Sequence, residues 1–509
     1  MNLLEAVAAN ALPDSPALQT GATVLSYNQL FELVEQARLA LLAADVTAGD
    51  RIGVLLPNGA AHVVAILAIG AVDAIAVPSD PRAGAERLAR ITEETAPRLT
   101  LCEPGAVAAT GSASIGVSLG RDPTDSIDLR FTPTSDSGEP PESTRPSLPT
   151  STADNAVIRF TSGSTGRPKG VVLDRDQLVA TARLVSELFG LTASHRELVV
   201  TPISHSGGWQ RVAGTLIGGG CVVFPDEPFS VPGMLEDALT FEATGFFAPP
   251  PVIRLLLASG ARAARGLAAC RTIEVGSASL SGAELAALLE LVPEARVFFH
   301  YGLTECSRAL VLDARAHPSK LDTVGLPAPG VEIDIRGDGG QSLSPGEVGE
   351  VFLRGPQRIR SYWQRPDLDA SRLTDGWLAT GDYGRLDADG FLNLLGRRDD
   401  RIESAGYSFF PAEVEAELGS VDGVREYLVA GVPDPRGILG DVPWAFVVPA
   451  EAGKFDARAF AKHAQAKLPA YMVPRKVIAV PELPLTASGK PDRRAAVERH
   501  SDAAGGGNN

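Results

Sequence analysis

Residues 160–170 confine this chain to a narrow set of folds. Phe160, Thr161, Ser162, Gly163, Ser164, Thr165, Gly166, Arg167, Pro168, Lys169 and Gly170 interleave three glycines with four hydroxyl side chains and end beside a lysine. Glycines permit positive φ and close backbone approach, so such a loop can wrap N–H and O–H donors around a polyphosphate. Short apolar runs at 156–160 and 171–173 flank it and read as strands. It is not a Walker loop, because four residues after Gly163 comes Arg167 and no helix opens directly behind it. The alternative, a plain Gly/Ser turn between two strands, accounts for neither the lysine nor the run of hydroxyls.

The rest of the chain alternates helix and strand. Apolar residues at helical spacing over 29–42 precede a buried strand at 51–56, a core helix over 60–71 and a strand at 74–78, an order that implies a parallel sheet with crossover helices. A helix is expected over 176–189. Strands are expected at 197–202, 222–224, 245–248, 272–275 and 297–300, several running into Gly, Ser, Thr or acidic residues, which is where an α/β sheet places a ligand. Residues 122–154, dominated by Pro, Ser, Thr, Asp and Glu, read as a long, partly mobile surface connection. Beyond Val324 the pattern becomes β-like with frequent turns, and a polar link at 396–401 leads into a domain-sized tail. The expected fold is therefore α/β: a large N-terminal domain (1–396) of mixed and parallel sheets packed with helices, with a small β-barrel-like unit, then a hinge (397–401), a smaller mobile α+β C-terminal domain (402–500) and a disordered tail (501–509).

At 509 residues, two or three domains are expected. The 46 basic and 62 acidic residues give a formal charge of -16, which opposes binding to nucleic acid or anionic lipid, so a nucleotide site must be locally basic. Cys102, Cys221, Cys270 and Cys306 lie far apart and suggest neither a zinc site nor a disulfide framework. The N-terminus lacks a basic stretch ahead of an apolar run, and the most apolar segment, 63–72, is about half the length of a membrane helix. A cytoplasmic protein without a membrane span is expected.

Residues 161–170 resemble the phosphate-loop signature of the adenylate-forming (AMP-binding) superfamily, which includes acyl-CoA and aryl-CoA synthetases, luciferases and peptide-synthetase adenylation domains. Tyr301, Gly302, Leu303, Thr304 and Glu305 are similar to its adenine and metal motif. There a tyrosine ring can stack on a purine, a threonine can donate to a phosphate oxygen and a glutamate can hold magnesium. Gly276, Ser277 and Ala278 match the small-residue turn lining the adenine and acyl pockets. Thr380, Gly381 and Asp382 resemble the ribose motif, with Arg397 also reaching the ribose. Ala405, Gly406 and Tyr407 look like the thiol-tunnel segment, and residues 484–490 like the terminal lysine loop carrying Lys490. The resemblance covers nearly the whole chain.

It implies ATP, Mg2+ and CoA as reactants and cofactors. A carboxylate attacks the α-phosphate, giving an acyl-adenylate and pyrophosphate; a thiol then takes the acyl group and AMP leaves. Lys490, Thr304 and the magnesium at Glu305 meet the developing charge, and Thr161, Ser162, Gly163, Ser164, Thr165, Gly166 and Lys169 cradle the phosphates. In the family the C-terminal domain rotates between the steps about an acidic residue, here Asp399. His205, Ser206, Gly207 and Trp209 occupy the start of the acyl pocket, with His205 bordering the carboxylate and Gly302 also lining the pocket. Adenylation domains for α-amino acids carry an aspartate where this chain has Ser206, so an ammonium would go unpaired and a fatty, aryl or other non-amino acid is favoured.

The acceptor is expected to be CoA. The phosphopantetheine of a carrier protein supplied in trans, docked through Arg493, Arg494 and Lys476, or an amine, are the alternatives. Glu403, where relatives carry lysine or an apolar residue, and Ala405, where a second glycine is frequent, keep those alternatives open. A relative that binds without turnover is opposed by Lys490, Glu305 and Asp382 together, whereas a luciferase-like oxygenase shares every motif. Either a monomer or a homodimer is compatible with the sequence.

Overall fold

The computed structural model describes residues 2–103, 114–121, 127–133, 154–162, 168–225, 229–451, 453–485 and 491–500. These fall into two compact units, Met1–Ile333 with Leu353–Ala379, and Asp334–Phe352 with Thr380–Asn509. The boundary expected at residue 396 lies inside the second unit.

Among the described residues, the first unit holds two large sheets. In one, Ser361–Tyr362, Pro168–Asp174, Asn155–Ser162, Ile75–Pro78, Arg51–Leu55, Leu99–Cys102, Ser114–Arg121 and Ile127–Pro133 lie side by side in that order. Its centre is parallel, as the strand–helix–strand reading requires: Arg51–Leu55 runs parallel to both Ile75–Pro78 and Leu99–Cys102. The helices Tyr27–Ala43 and Ala60–Ala71 lie where periodicity predicts them. Ser26 and Gln29 form a capping box that fixes the start of the first of these. The last strand, Ile127–Pro133, is a difference from the sequence reading: apolar Ile127, Leu129 and Phe131 alternate with polar residues, and this period of two pairs the segment antiparallel with Ser114–Arg121 inside what reads as a connection. Residues 134–153 of that stretch lie outside the described residues.

The other sheet runs Leu326–Pro327, Cys306–Asp313, Arg296–Leu303, Thr272–Val275, Gly245–Ala248, Arg196–Leu198, Cys221–Phe224, Pro16–Thr20 and Thr23–Ser26. Its middle strands are parallel. The strand expected to end at His300 continues to Leu303 and turns back through Thr304 and Glu305 into Cys306–Asp313, so the Tyr301 motif sits on an antiparallel hairpin.

This sheet buries charge as well as apolar surface. Glu197 receives Arg211 through two hydrogen bonds and lies 2.8 Å from His195; Glu274 lies 2.9 Å from Arg308 and 2.6 Å from His300. All six side chains are buried. Burial works to raise the Glu274 carboxyl, but Arg308 and His300 outweigh it and hold the group well below the ordinary carboxylate range. Its stabilisation is therefore fully present above the ordinary value of 4.5 and is lost only as pH falls toward the depressed folded value. Glu274→Gln leaves Arg308 buried without a carboxylate, and is expected to lower the unfolding free energy by about 3–5 kcal/mol in denaturant titration. All four cysteines are buried and free, and burial pushes the Cys270 and Cys306 thiols up to about 12. No helix among the described residues is long and apolar enough to cross a membrane.

In the second unit, Val424–Pro433, Asp441–Pro449 and Lys476–Ala479 form a sheet. Its two faces bury separate apolar clusters, one containing Val429, Ala445 and Val447 with Phe460 of the helix Ala457–Lys467, the other containing Leu428, Trp444 and Phe446 with Ala496 of the helix Arg493–His500. The β-rich stretch past Val324 forms Glu332–Arg336, Gly349–Arg354, Leu373–Thr374, Trp377–Leu386 and Leu392–Arg397, of which Leu373–Thr374 belongs to the first unit.

Candidate active site

In the first unit, the strand Asn155–Ser162 runs into the glycine loop and Pro168–Asp174 returns from it, pairing Thr161 with Lys169. Gly163, Ser164, Thr165 and Gly166 lie outside the described residues. Lys169 reaches across 136 residues of sequence to bond the Glu305 carboxylate. The Tyr362 hydroxyl donates to the same oxygen, Oε1, at 2.9 Å, and the Lys169 ammonium stands 5.0 Å from the Tyr362 ring centroid. Glu305 is buried, which would raise its carboxyl, but Lys169 and its hydrogen bonds prevail and keep it below the usual range. A charged carboxylate is thus fixed next to the strand leaving the phosphate loop.

The hairpin carrying Tyr301, Gly302 and Thr304 depends on glycine at one point: a Cβ on Gly302 would lie 2.6 Å from the Arg308 backbone nitrogen. Likewise Gly276, at the end of Thr272–Val275, faces the His300 ring so closely that a Cβ would sit 2.3 Å from it. Ser277 next to it takes φ 76°, a left-handed conformation uncommon for a residue with a Cβ. The turn Gly276, Ser277, Ala278 is therefore seated against the Tyr301 strand.

His205 is the N-cap of the helix Ser206–Ile217, without a side-chain capping bond. Gly208 permits this sharp entry, since a Cβ there would meet the Pro202 carbonyl oxygen at 2.6 Å. The Arg308 guanidinium donates at 2.9 Å to the Gly207 carbonyl while holding Glu274, which precedes the Gly276 turn by two residues. One buried side chain so joins the expected acyl-pocket segment to the expected adenine segment. Ser206 Oγ, Trp209 Nε1 and Gln210 Oε1, all buried, have no hydrogen-bond partner among the described residues. At positions i, i+3 and i+4 they share one helical face.

The second unit carries the other motifs. Asp382 and Arg397 face each other across an antiparallel pair, with Arg397 Nη1 3.1 Å from Asp382 Oδ1. Thr380 Oγ1 donates to the Val351 carbonyl and accepts from the Asp382 N–H, fixing the turn. Asp399 lies in the short 3-10 turn Arg398–Asp400. Ala405 and Gly406 make the tight turn between Ile402–Ser404 and Tyr407–Phe409, at φ 54° and 83°. Alanine thus takes the left-handed conformation for which glycine is the cheaper residue. Tyr407 is half-exposed and stacks on Tyr471 with ring centroids 4.2 Å apart. Glu403 is held by Arg401 at 2.7 Å. Arg493 is held by Glu415 and the Val429 carbonyl, whereas Arg494 is exposed and makes only a surface pair with Glu498. Lys490 lies outside the described residues.

Sequence reasoning missed Tyr362, Arg159 and the Arg308–Glu274 pair. The available signal was a charged residue inside an apolar strand, at 159 and 274, although nothing local names the partner.

Comparison with known proteins agrees in both units. Residues 5–363 match the family described as AMP-binding enzyme, and residues 413–490 the AMP-binding enzyme C-terminal domain. The chain is 32% identical over 482 residues to a feruloyl-CoA synthase from Amycolatopsis sp, covering 94% of each. Among solved structures it is similar to the o-succinylbenzoate CoA synthetase of Bacillus subtilis in complex with its acyl-adenylate intermediate, at TM-score 0.80 and 27% identity over 97% of each chain. It is also similar to the amide bond synthetase McbA of Marinactinospora thermotolerans, at TM-score 0.84 and 27% identity, covering 97% of this chain and 98% of that one.

Proposed function

This chain belongs to the family of AMP-binding enzymes, and on that footing we propose that it is an ATP-dependent ligase that activates a non-amino carboxylic acid as its acyl-adenylate and passes the acyl group to the thiol of CoA. The observation that carries this reading is the buried Glu305 carboxylate, kept charged and joined to Lys169 of the phosphate-loop strand. Resemblance along 94% of the chain to a feruloyl-CoA synthase supports CoA as acceptor and an aryl acid as one candidate substrate. The amide bond synthetase among the structural relatives keeps an amine acceptor as the second reading. Of the cations considered for docking a carrier protein, Arg493 is held by Glu415.

Glu305 suits magnesium. No group of three His, Cys, Asp or Glu able to hold a metal occurs among the described residues, and Mg2+ typically keeps water and substrate phosphates as ligands while leaning on one or two carboxylates. Glu305 would hold it, and it would neutralise the polyphosphate. The remaining work falls to the chain's own groups. Lys169 and the loop donors grip the β- and γ-phosphates, Tyr301 and the Gly276 turn seat the adenine, and Asp382 accepts from the ribose hydroxyls. A carboxylate oxygen attacks the α-phosphorus and pyrophosphate departs, with Thr304 and Lys490 meeting the charge that develops. The thiol sulfur then bonds the acyl carbon and AMP leaves. We place this chemistry in the cytoplasm.

Carboxylate-dependent exchange of pyrophosphate into ATP, screened over aryl and aliphatic acids and followed by thioester formation with CoA, tests the reading. Exchange with no acid contradicts it, and exchange with an amide product but no thioester moves it to the second reading. Asp399→Pro is expected to spare one of the two half-reactions and suppress the other, because a fixed φ in the hinge traps one arrangement. Equal loss in both would exclude a hinge at that residue.

A further inference from the structure

Among the described residues of the first unit three arginines are fully buried, namely Arg159, Arg211 and Arg308. Arg211 is neutralised by Glu197 and Arg308 by Glu274. Arg159 differs: its Nη1 bonds only the carbonyl oxygens of Ser204 and, at 3.4 Å, Ile203, while Nε and Nη2 have no partner among the described residues. Burial pulls its guanidinium down to about 9, still protonated at neutral pH. A buried cation without a counter-ion costs several kcal/mol relative to water, and a folded protein rarely retains one without use.

Its surroundings are arranged for an anion. Along the strand Asn155–Ser162, Ile158 and Phe160 face one apolar cluster and Val157 the opposite one, so Arg159 and Thr161 share the Val157 face. Thr161 Oγ1 is buried and has no hydrogen-bond partner among the described residues, as is true of Ser206 Oγ. The two carbonyls that Arg159 holds belong to the residues just before His205, the N-cap of the 12-residue helix Ser206–Ile217, whose first turn has no side-chain cap. An open helix N-terminus presents N–H donors and a positive dipole end. A guanidinium with two unpartnered nitrogens is therefore bound to the residues that enter this helix, where the expected acyl pocket begins, with Thr161 two residues along the same strand face and Ser206 the first residue of the helix.

We propose that Arg159 is the counter-ion for a carboxylate of the acid substrate, which it receives together with the N-terminal turn of the Ser206–Ile217 helix. This rests on the ligase reading for the identity of the ligand as an acid. The carboxylate is either the reacting group or a second one on the same molecule, and two probes separate them: ferulate, with one carboxylate, and o-succinylbenzoate, with two.

The test uses full-length Arg159→Met and Arg159→Lys. Methionine replaces the stem without the charge, so the free variant should melt at or above the wild-type Tm. Its KM for the acid in pyrophosphate exchange should rise about 10- to 100-fold, the weight of a charge-assisted bidentate contact, with KM for ATP unchanged. Lysine should recover part of the loss. Loss with both probes assigns the reacting carboxylate; loss with o-succinylbenzoate alone assigns the second. Unchanged acid KM in a folded variant overturns the proposal, as does a lower Tm with acid and ATP affinities weakening together, which is the mark of a structural role. Acid-induced rise in Tm, read without turnover, keeps the two readings apart. If wild type is stabilised by the acids but exchanges no pyrophosphate, the ligase reading fails, and this one still stands or falls on whether Arg159→Met abolishes the stabilisation.

Discussion

Glu305→Gln is expected to reduce acyl-adenylate formation by about 100-fold or more, since one charged group at the centre of a phosphoryl-transfer site is worth that much. The amide keeps the shape and can still accept from the Tyr362 hydroxyl, but it cannot pair with the Lys169 ammonium or anchor a hard divalent cation. Two readouts separate these effects. Stability should fall by about 3 kcal/mol, the lower end for breaking a buried pair, because Lys169 retains 14% exposure and some water. Exchange activity should stay low when Mg2+ is raised to excess, and the wild-type enzyme should lose exchange on chelation and regain it with Mg2+. A variant with normal exchange at ordinary Mg2+ would remove Glu305 from the site.

What sequence made legible was whatever is local. The glycine–hydroxyl loop and the Tyr301–Glu305 motif are each a short run whose residue types suit the chemistry they can do, and the structure brings Lys169 to Glu305 and Asp382 to Arg397. The parallel core strands and their crossover helices followed from periodicity because both faces of those strands are apolar. Tyr362 was hidden because it bonds Glu305 from 57 residues away and stands in a run that reads as turn and strand. The charged residues at 159, 197 and 274 interrupt apolar strands, which announces burial with a partner but not which partner. The helix that begins at Ser206 was not legible because Gly207 and Gly208 lower helix propensity, whereas in the fold Gly208 lets the first helical turn press against the Pro202 carbonyl. The stretch 122–154 reads as a connection by composition, and its Ile127–Pro133 strand emerges only from alternation over seven residues.

Ala405 at φ 54° bears on the acceptor. A Cβ now stands in the turn expected to line the thiol's path, held by the bond from the Ala405 N–H to the Leu439 carbonyl. The turn takes, with an alanine, the left-handed geometry that glycine adopts more cheaply.

The most direct measurement is made on Lys490→Ala, with the two half-reactions followed separately. A lysine ammonium is a compact point charge with three donors, able to meet a carboxylate oxygen and an α-phosphate oxygen together. The account predicts that carboxylate-dependent pyrophosphate exchange falls about 100- to 1,000-fold, while transfer from supplied acyl-adenylate to CoA proceeds at the wild-type rate. Exchange at the wild-type rate for every acid the enzyme accepts would contradict it.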